Sequence, residues 1–270
     1  MKAAVIGHPV AHSKSPLIHQ YWIKENNVIG SYEAIDIHPD NLKDGIERLI
    51  TQGYSGFNVT VPHKANILSL CIDVDDSARN ISAVNTVVIK DKKLFGMNTD
   101  AFGFILNVKQ SIPEISFKGK TISILGAGGA ARAVIYGMLS AGAAKINLSN
   151  RTLATAEELK KMAPDIIHVI NWDQRSELAR DTDLLVNTTS LGMTGKPPLE
   201  MDLGLLPKEA IVTDIVYAPL MTDLLKEAQG KGNKIVTGIG MLLHQARPAF
   251  KAWTGILPSV SEELQRRVLL

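Results

Sequence analysis

The chain has 270 residues, 45% hydrophobic and 21% charged, a balance typical of a globular α/β protein and unlike that of a disordered chain. A formal net charge of +2 is too small to indicate a nucleic-acid or membrane partner, and no apolar run approaches the roughly 18 residues of a membrane span. Cys71 is the only cysteine, which excludes an internal disulfide and predicts a cytoplasmic location and a buried thiol. The first ten residues break at Gly7, His8 and Pro9 before a signal-peptide core could form.

The first hundred residues alternate strand-like and helix-like segments. They read "AAVIG", a helix from Ser15 to about Asn27, "SYEAIDI", a helix near residues 40–52, and "GFNVTV". That order predicts a mainly parallel sheet with helical crossovers. From Ala83 the run "AVNTVVIKDKKLFG" predicts a hairpin that turns at Asp91, Lys92 and Lys93. A polar stretch punctuated by Pro and Gly follows, so we expect a first domain of residues 1–104.

The second half of the chain has the pattern of a doubly wound, Rossmann-like sheet. Within residues 105–237 lie the apolar runs "TISILG", "KINLSN", "IIHVI", "DLLVNTT", "AIVTDIV" and "KIVTG", with helical stretches between most of them. After Gly238 a helix is predicted, with a buried stripe formed by Leu242, Leu243, Ala246, Phe250 and Trp253. This helix has no place on a six-stranded sheet, and we therefore expect residues 238–270 to return to the first domain.

A glycine-rich loop stands at the start of the second domain. In "TISILGAGGAARA", Gly126, Gly128 and Gly129 come directly after a strand and before a helix, and Ala131 replaces the third glycine of G-x-G-x-x-G. Such glycines let backbone N–H groups approach a pyrophosphate at a helix N-terminus. The segment predicts dinucleotide binding; the alternative is a tight turn without a ligand.

The next strand favours NADP over NAD. A site selective for NAD carries an acid about 20 residues past the loop, whereas the 2′-phosphate of NADP requires a cation. Here "NLSNRT" places neutral Asn150 where the acid would stand, followed by Arg151. The alternative is that Arg151 is a solvated residue at the start of a helix.

The first domain offers polar groups suited to a small acidic substrate. Ser13 and Ser15 precede Pro16, so they are expected at a helix N-terminus, where two hydroxyls could hold a carboxylate; a plain N-cap is the alternative. Lys64 in "NVTVPHK" could protonate an oxygen as hydride arrives, and Asp100, expected in a polar loop, could tune it. The alternative for this pair is a surface salt bridge.

Nine segments together resemble the shikimate dehydrogenases. They are, in order from residue 13 to residue 246, "SKSP", "NVTVPHK", "AVNTV", "NTDAFG", "GAGGAARA", "SNRT", "NTTSLGM", "DIVYAP" and "GIGMLLHQA". The resemblance implies an NADP-dependent oxidoreductase that reduces 3-dehydroshikimate to shikimate, on the route to chorismate and the aromatic amino acids. It also implies a substrate-binding catalytic domain followed by an NADP-binding Rossmann domain.

The resemblance assigns roles to individual residues. Lys64 and Asp100 match the catalytic pair, with Lys64 as the acid and base. The positions implied to bind or support the substrate are Ser13, Ser15, Asn58, Thr60, Asn85, Tyr217 and Gln245. The positions implied to bind the cofactor are Asp76, Gly126, Ala127, Gly128, Gly129, Ala130, Asn150, Arg151, Thr152, Thr188, Ser190, Ile215, Gly238 and Met241.

One departure from the family pattern bears on cofactor choice. Many NADP-using members carry a second basic residue where this chain has Thr155, so selectivity against NAD is expected to be weaker.

Two alternative functions stay open, a quinate/shikimate dehydrogenase with relaxed cofactor use and a shikimate or nucleotide sensor without turnover. No metal is expected, since His63 belongs to no metal-like cluster and is interpreted as structural. The sequence does not decide the oligomeric state, for which a homodimer is one hypothesis.

Overall fold

A computed structural model describes all 270 residues, and the chain divides into two compact units. Unit 1 comprises residues 1–100, 243–268 and residue 270, and unit 2 comprises residues 101–242 and residue 269. None of the helices combines the length and the apolar character that crossing a membrane requires.

The elements are labelled in chain order. The strands are β1 (Lys2–Gly7), β2 (Ser31–Asp36), β3 (Gly56–Val59), β4 (Asp73–Val74), β5 (Thr86–Lys90), β6 (Lys93–Met97), β7 (Thr121–Leu125), β8 (Lys145–Ser149), β9 (Ile167–Ile170), β10 (Leu184–Asn187), β11 (Ile211–Asp214) and β12 (Lys234–Val236). The helices are α1 (Ser15–Glu25), α2 (Leu42–Thr51), α3 (Asp76–Ile81), α4 (Asp100–Ser111), α5 (Gly129–Ser140), α6 (Leu153–Lys160), α7 (Asp223–Gly230), α8 (Ile239–Thr254) and α9 (Glu262–Leu269). Three short 3₁₀ helices occupy Pro39–Asn41, Asn66–Leu70 and Trp172–Ala179.

Unit 1 contains a mixed six-stranded sheet in the order β2-β1-β3-β5-β6-β4. The pairs β1–β2, β1–β3 and β4–β6 are parallel, whereas β3–β5 and β5–β6 are antiparallel. The predicted hairpin is therefore confirmed as β5 and β6. Its turn residues Asp91 and Lys92 have φ values of 50° and 60°, the left-handed backbone that a two-residue hairpin loop uses.

Unit 2 contains the predicted doubly wound sheet. Its order is β12-β11-β10-β7-β8-β9, every neighbouring pair is parallel, and all six strands coincide with the predicted apolar runs. The strand order reverses between β7 and β10. In such sheets ligands bind beyond the carboxyl ends of the strands at this reversal, and the glycine loop follows β7 there.

Helix α4 carries the chain from unit 1 into unit 2. The expected boundary near residue 104 falls inside this helix, while the units divide between Asp100 and Ala101. The helix continues because Phe104 and Val108, four residues apart, share a face that is buried in the core of unit 2, and Ile112 directly after the helix is buried in the same core.

Helix α8 returns the chain to unit 1 at Leu243. The Nε1–H of Trp253 donates to the carbonyl of Val87 at 3.0 Å. A Cβ at Gly56 would come within 2.2 Å of that indole nitrogen, so only glycine fits there.

The predicted burial of Cys71 was partly wrong, because this thiol is only partly covered; burial still raises its pKa to about 11.

Candidate active site

Lys64 and Asp100 form a direct ion pair in unit 1. The Nζ of Lys64 donates to Oδ2 of Asp100 at 2.6 Å, a short charge-assisted bond. The Asp100 side chain is 11% exposed and that of Lys64 is 31% exposed, so the carboxylate lies beneath an ammonium that stays accessible. The backbone carbonyl of Lys64 accepts the N–H of Val84 at 2.8 Å, which fixes the segment after β3 against the segment before β5.

Asp100 was expected in a loop, and this expectation was wrong. It is the first residue of α4, where Oδ1 of Asn98 accepts its backbone N–H at 3.0 Å. That bond satisfies one of the free N–H groups at the helix start. The positive end of the helix dipole also favours a carboxylate at this position.

Asn85 orients the other oxygen of Asp100. Its Nδ2 donates to Oδ1 of Asp100 at 2.7 Å, and also approaches Oγ1 of Thr99 at 3.0 Å and Oε1 of Gln245 at 3.4 Å. Its Oδ1 accepts the backbone N–H of Thr99 at 3.0 Å. Both ends of the amide are bound within the chain, so binding a substrate hydroxyl would require one of these bonds to be shared or exchanged.

Ser13 and Ser15 lie at the start of α1. Ser15 is the first helical residue rather than the cap, and its N–H donates to Oγ of Ser13 at 3.3 Å. Both side chains are half-buried.

Thr60 follows β3 and packs so closely against Gly7 that a Cβ at Gly7 would lie 2.5 Å from its Cγ2. His63 is buried and bonds the carbonyl of Ile37 through Nε2 at 2.7 Å, the structural position that was predicted.

The glycine loop of unit 2 has the geometry of an anion site. Gly126 has φ +102°, and a Cβ there would lie 2.7 Å from Oγ1 of Thr188, so both backbone and space require glycine. Gly128 and Gly129 are exposed, with open space where their side chains would stand. Gly128 caps α5 without a side-chain hydrogen bond, which leaves the first N–H groups of the helix available to an anion. Ala127 is buried and Ala130 half-buried within the same turn.

The loop after β8 is tied to the glycine loop by Asn150. Its Oδ1 accepts the N–H of Ala127 at 3.2 Å, and its Nδ2 donates to the carbonyl of Thr152 at 2.9 Å. Arg151 and Thr152 are exposed, and Thr155 supplies no second cation. One guanidinium is therefore presented beside a loop whose backbone groups suit a phosphate, and these residues fit a nucleotide with an additional phosphate group.

Other predicted cofactor residues line the carboxyl ends of the strands in unit 2. Thr188 is buried, with its hydroxyl donated to the carbonyl of Leu125 at 2.6 Å, whereas Ser190 is exposed. Ile215 is half-buried beside Gly238, where a Cβ would lie 2.3 Å from the carbonyl oxygen of Ile215. Met241 is buried in the core of unit 2.

The predicted site residues Tyr217 and Asp76 are assigned to units as follows: Tyr217 was expected in the cofactor domain and lies in unit 2, whereas Asp76 lies outside the unit of the other predicted cofactor residues. Tyr217, a predicted substrate residue, belongs to unit 2 and is half-buried, and burial raises its pKa. Asp76, a predicted cofactor residue, starts α3 in unit 1 and is exposed. No group of three or more His, Cys, Asp and Glu side chains is arranged to hold a metal ion.

Sequence reasoning missed Tyr32, Thr86 and Thr99, whose side chains complete the network around Asn85. Thr86 and Thr99 stand inside the motifs "AVNTV" and "NTDAFG", and the buried pair Asn85–Thr86 before an apolar strand was the available signal. Tyr32 gave no such signal in the sequence, because it lies next to its hydrogen-bond partner Asn58 only through the pairing of β2, β1 and β3.

A second missed group lies in unit 2. The buried carboxylate of Asp214 accepts from Nδ2 of Asn187 at 3.0 Å, from Oγ1 of Thr222 at 2.8 Å and from the N–H of Val216 at 2.9 Å. Burial raises the pKa of Asp214, and these hydrogen bonds act in the opposite direction. The network joins the ends of β10 and β11, directly before Ile215 and Tyr217.

Taken with the Lys64–Asp100 pair, the doubly wound sheet and its glycine loop define a dinucleotide-dependent oxidoreductase built from two α/β units. Three family models match the chain: "Shikimate dehydrogenase substrate binding domain" over residues 5–87, "Shikimate / quinate 5-dehydrogenase" over residues 107–193, and "Shikimate 5'-dehydrogenase C-terminal domain" over residues 238–262.

Individual relatives agree with these matches. The chain is 44% identical over 264 residues to the shikimate dehydrogenase (NADP(+)) of Azorhizobium caulinodans, covering 98% of this chain and 94% of that protein. The crystal structure of shikimate 5-dehydrogenase from Thermus thermophilus with NADP(H) and shikimate is 38% identical, covers 100% of both chains and superposes with a TM-score of 0.89. Quinate dehydrogenase from Corynebacterium glutamicum in complex with NAD is 28% identical, with coverage of 100% and 98% and a TM-score of 0.91. The chain belongs to the shikimate dehydrogenase family.

Proposed function

We propose that the chain is an NADP-dependent shikimate dehydrogenase, which interconverts 3-dehydroshikimate and shikimate. The reaction adds a hydride to the carbonyl carbon and a proton to its oxygen, and the reverse reaction removes both. The observation that carries the proposal is the 2.6 Å bond between Lys64 and Asp100 in a chain whose close relatives are named for this activity. Binding alone would require no proton donor, which argues against a sensor without turnover.

Lys64 handles the proton in this proposal. In the direction of reduction its ammonium donates a proton to the oxygen that becomes an alkoxide, and in the direction of oxidation the neutral amine takes that proton back. Asp100 holds the Lys64 side chain in place and balances its charge. Because Asp100 is covered while the ammonium is partly exposed, the proton-bearing group is the one that a ligand can reach.

The carboxylate of the substrate is assigned to the start of α1. Ser13 and Ser15 supply two half-buried hydroxyls there, on a helix of 11 residues whose dipole favours a negative charge at this end. Thr60, Asn85 and Gln245 are the proposed partners of the substrate hydroxyls, with Asn58 in support. Tyr217 is the remaining proposed substrate residue.

Unit 2 is proposed to hold NADP. When bound, the nucleotide supplies or accepts the hydride. Residues 126–130 would hold its pyrophosphate, with the first N–H groups of α5 available to it, and Asn150, Arg151 and Thr152 would hold its 2′-phosphate. The open space at Gly128 and Gly129 and the exposed guanidinium of Arg151 support this assignment. The proposed neighbours of the nicotinamide ring are Ile215, Gly238 and Met241, and Thr188, Ser190 and Asp76 are the further proposed cofactor residues.

A four-way rate comparison tests the proposed function. Purified protein is assayed with shikimate or quinate and with NADP⁺ or NAD⁺, and reduction of the nicotinamide is followed by absorbance. The proposal predicts the highest kcat/KM for shikimate with NADP⁺. Higher kcat/KM for quinate with NAD⁺ would favour the quinate dehydrogenase alternative, and no reduction in any combination would refute the enzyme assignment.

The remaining proposals concern organisation and location. We assign the substrate to unit 1 and the nucleotide to unit 2, and we place the protein in the cytoplasm on the basis of its single, unpaired cysteine. A homodimer is the working hypothesis for the assembly. Light scattering coupled to size-exclusion chromatography tests it, and a mass near the 29.3 kDa of one chain would contradict it.

A further inference from the structure

A buried chain of hydrogen bonds runs through unit 1 and ends at the Lys64–Asp100 pair. The Tyr32 hydroxyl donates to Oδ1 of Asn58 at 2.6 Å, and Nδ2 of Asn58 donates to Oγ1 of Thr86 at 3.0 Å. The Thr86 hydroxyl donates to Oδ1 of Asn85 at 3.0 Å, and Nδ2 of Asn85 donates to Oδ1 of Asp100 at 2.7 Å. Tyr32, Asn58, Thr86 and Asn85 are each at most 6% exposed, so water does not compete for these bonds.

Strand register explains how Tyr32 reaches this network. Tyr32 on β2 pairs with Ala3 on β1, and Ala3 pairs with Gly56 on β3. Asn58 lies two residues beyond Gly56 and therefore on the same face of the sheet. Ala3 is the small residue between them, and the phenol ring extends across β1 so that its hydroxyl reaches Asn58. Stacking of His19 on the ring, at 4.2 Å between centroids and 11° between planes, fixes it from the other side.

Two backbone groups fix the direction of every bond in the chain. The carbonyl of Asn85 accepts from Asn58 at 3.2 Å, and since a carbonyl can only accept, the Asn58 atom facing it is Nδ2. The N–H of Thr99 donates to Asn85 at 3.0 Å, so the Asn85 atom facing it is Oδ1. Thr86 lies between the two amides, accepts from the first and has only its own proton left for the second.

These bonds determine which group of the Asn85 amide faces the carboxylate of Asp100. With its Oδ1 engaged by Thr99 and Thr86, the Asn85 amide must present its NH₂ group to the carboxylate. A flipped amide would place two oxygens in contact, at the cost of an unpaired buried group. Neither asparagine exchanges a proton at neutral pH, so the chain orients groups and does not conduct protons.

We propose that Thr86 is a positioning residue: its hydroxyl, anchored through Asn58 by Tyr32, acts together with the Thr99 N–H to hold the Asn85 amide in the orientation that places Asp100 for its pairing with Lys64. This proposal rests on the proposed function, since it assigns Thr86 a part in the same reaction. It is independent of which substrate hydroxyl each side chain binds.

The test uses an isosteric pair of variants. Thr86→Val keeps the shape of the side chain and removes the hydroxyl, whereas Thr86→Ser keeps the hydroxyl. Loss of one buried hydrogen bond of ordinary strength predicts about a tenfold fall in kcat for Thr86→Val, with the KM for shikimate changed by less than about threefold. Thr86→Ser is expected to retain at least about half of the wild-type kcat. Thr182→Val is the matched control, because it removes another buried threonine hydroxyl, bonded to the carbonyl of Leu184 at 3.1 Å in unit 2, and is expected to leave kcat unchanged.

A double-mutant cycle separates positioning from stability. If Thr86 acts through Asp100, then Thr86→Val lowers kcat about tenfold in the wild type but less than about twofold in an Asp100→Asn background. Tyr32→Phe removes the hydroxyl at the other end of the hydrogen-bond chain and is expected to lower kcat by a smaller factor. This variant replaces Thr86→Val in the cycle if Thr86→Val does not fold. Wild-type kcat in folded Thr86→Val, or equal falls in both backgrounds, would overturn the proposal. Absence of turnover in the wild type would instead refute the proposed function, and this inference with it.

Discussion

The buried imidazole of His19 makes the stability of the protein depend on pH. The ring is fully buried, and Tyr32, Trp22, Phe250 and Trp253 surround it; a side-chain interaction with Asn58 favours the charged form but is outweighed by burial. Burial lowers the pKa of His19 to about 3, from an ordinary value of 6.5. The folded protein therefore keeps this ring neutral at pH values where the unfolded chain protonates it.

The direction and size of the effect follow from these two values. Between pH 6.5 and 3 the unfolded state binds a proton that the folded state does not, so the free energy of unfolding falls as the pH falls through this window. Above pH 6.5 the contribution of His19 is complete. Integrating the difference in bound protons from pH 7.5 to pH 5.5 gives a loss of about 1 kcal/mol from His19 alone.

Substitution of His19 by leucine removes the titrating group at similar volume. Urea unfolding followed by circular dichroism at both pH values gives the free energy of unfolding of wild type and His19→Leu. We expect the wild type to lose about 1 kcal/mol more than the variant between pH 7.5 and pH 5.5, because the other six histidines and all carboxyl groups are common to both proteins. Equal losses would show that His19 takes up its proton in the folded state, and would refute the reasoning from burial.

Three further predictions address the site and its supports. Lys64→Met should lower kcat by about 10²- to 10⁴-fold with a smaller change in the KM for shikimate, because its proton matters most as charge develops; a change in KM alone would make Lys64 a binding residue only. Arg151→Gln should raise the KM for NADP⁺ by about tenfold or more and leave that for NAD⁺ unchanged, because only NADP⁺ carries the 2′-phosphate; equal changes would place the guanidinium elsewhere on the nucleotide. Gly240→Ala should lower the free energy of unfolding by about 1–3 kcal/mol or more, because its Cβ would lie 1.9 Å from Oδ1 of Asn107. Its control is Gly230→Ala in α7, where nothing lies within 4 Å of the new Cβ; a similar loss in both variants would remove the steric explanation.

Periodicity was sufficient to predict most of the fold. The apolar runs of unit 2 are strongly patterned, and a glycine loop between strand and helix is defined by neighbouring residues, so all six strands were found. The start of α4 was missed because the cap is made by the Asn98 side chain within a polar segment that has the composition of a loop. The buried apolar residues of this segment, Phe104 and Val108 in the helix and Ile112 directly after it, were present in the sequence, but polar residues stand between them.

The candidate site was predictable where its residues stand in short motifs. Lys64 and Asp100 were proposed as partners from chemistry and family resemblance, and the ion pair between them is present. The supports could not be predicted, because they depend on register. Tyr32 meets Asn58 only because β2 and β3 flank β1 with Ala3 and Gly56 in one row. No local sequence pattern predicts that Tyr32 and Asn58 are in contact.

The central claim is that Lys64 exchanges the proton with the reacting oxygen of the substrate. A crystal structure of the protein with shikimate and NADP⁺ measures this most directly, through the distance from Nζ of Lys64 to the 3-hydroxyl oxygen. We predict a separation of about 2.6–3.2 Å, within direct hydrogen-bond reach. A bound shikimate with a group other than Lys64 at its 3-hydroxyl, and Nζ of Lys64 too distant for a direct or single-water contact, would contradict the account.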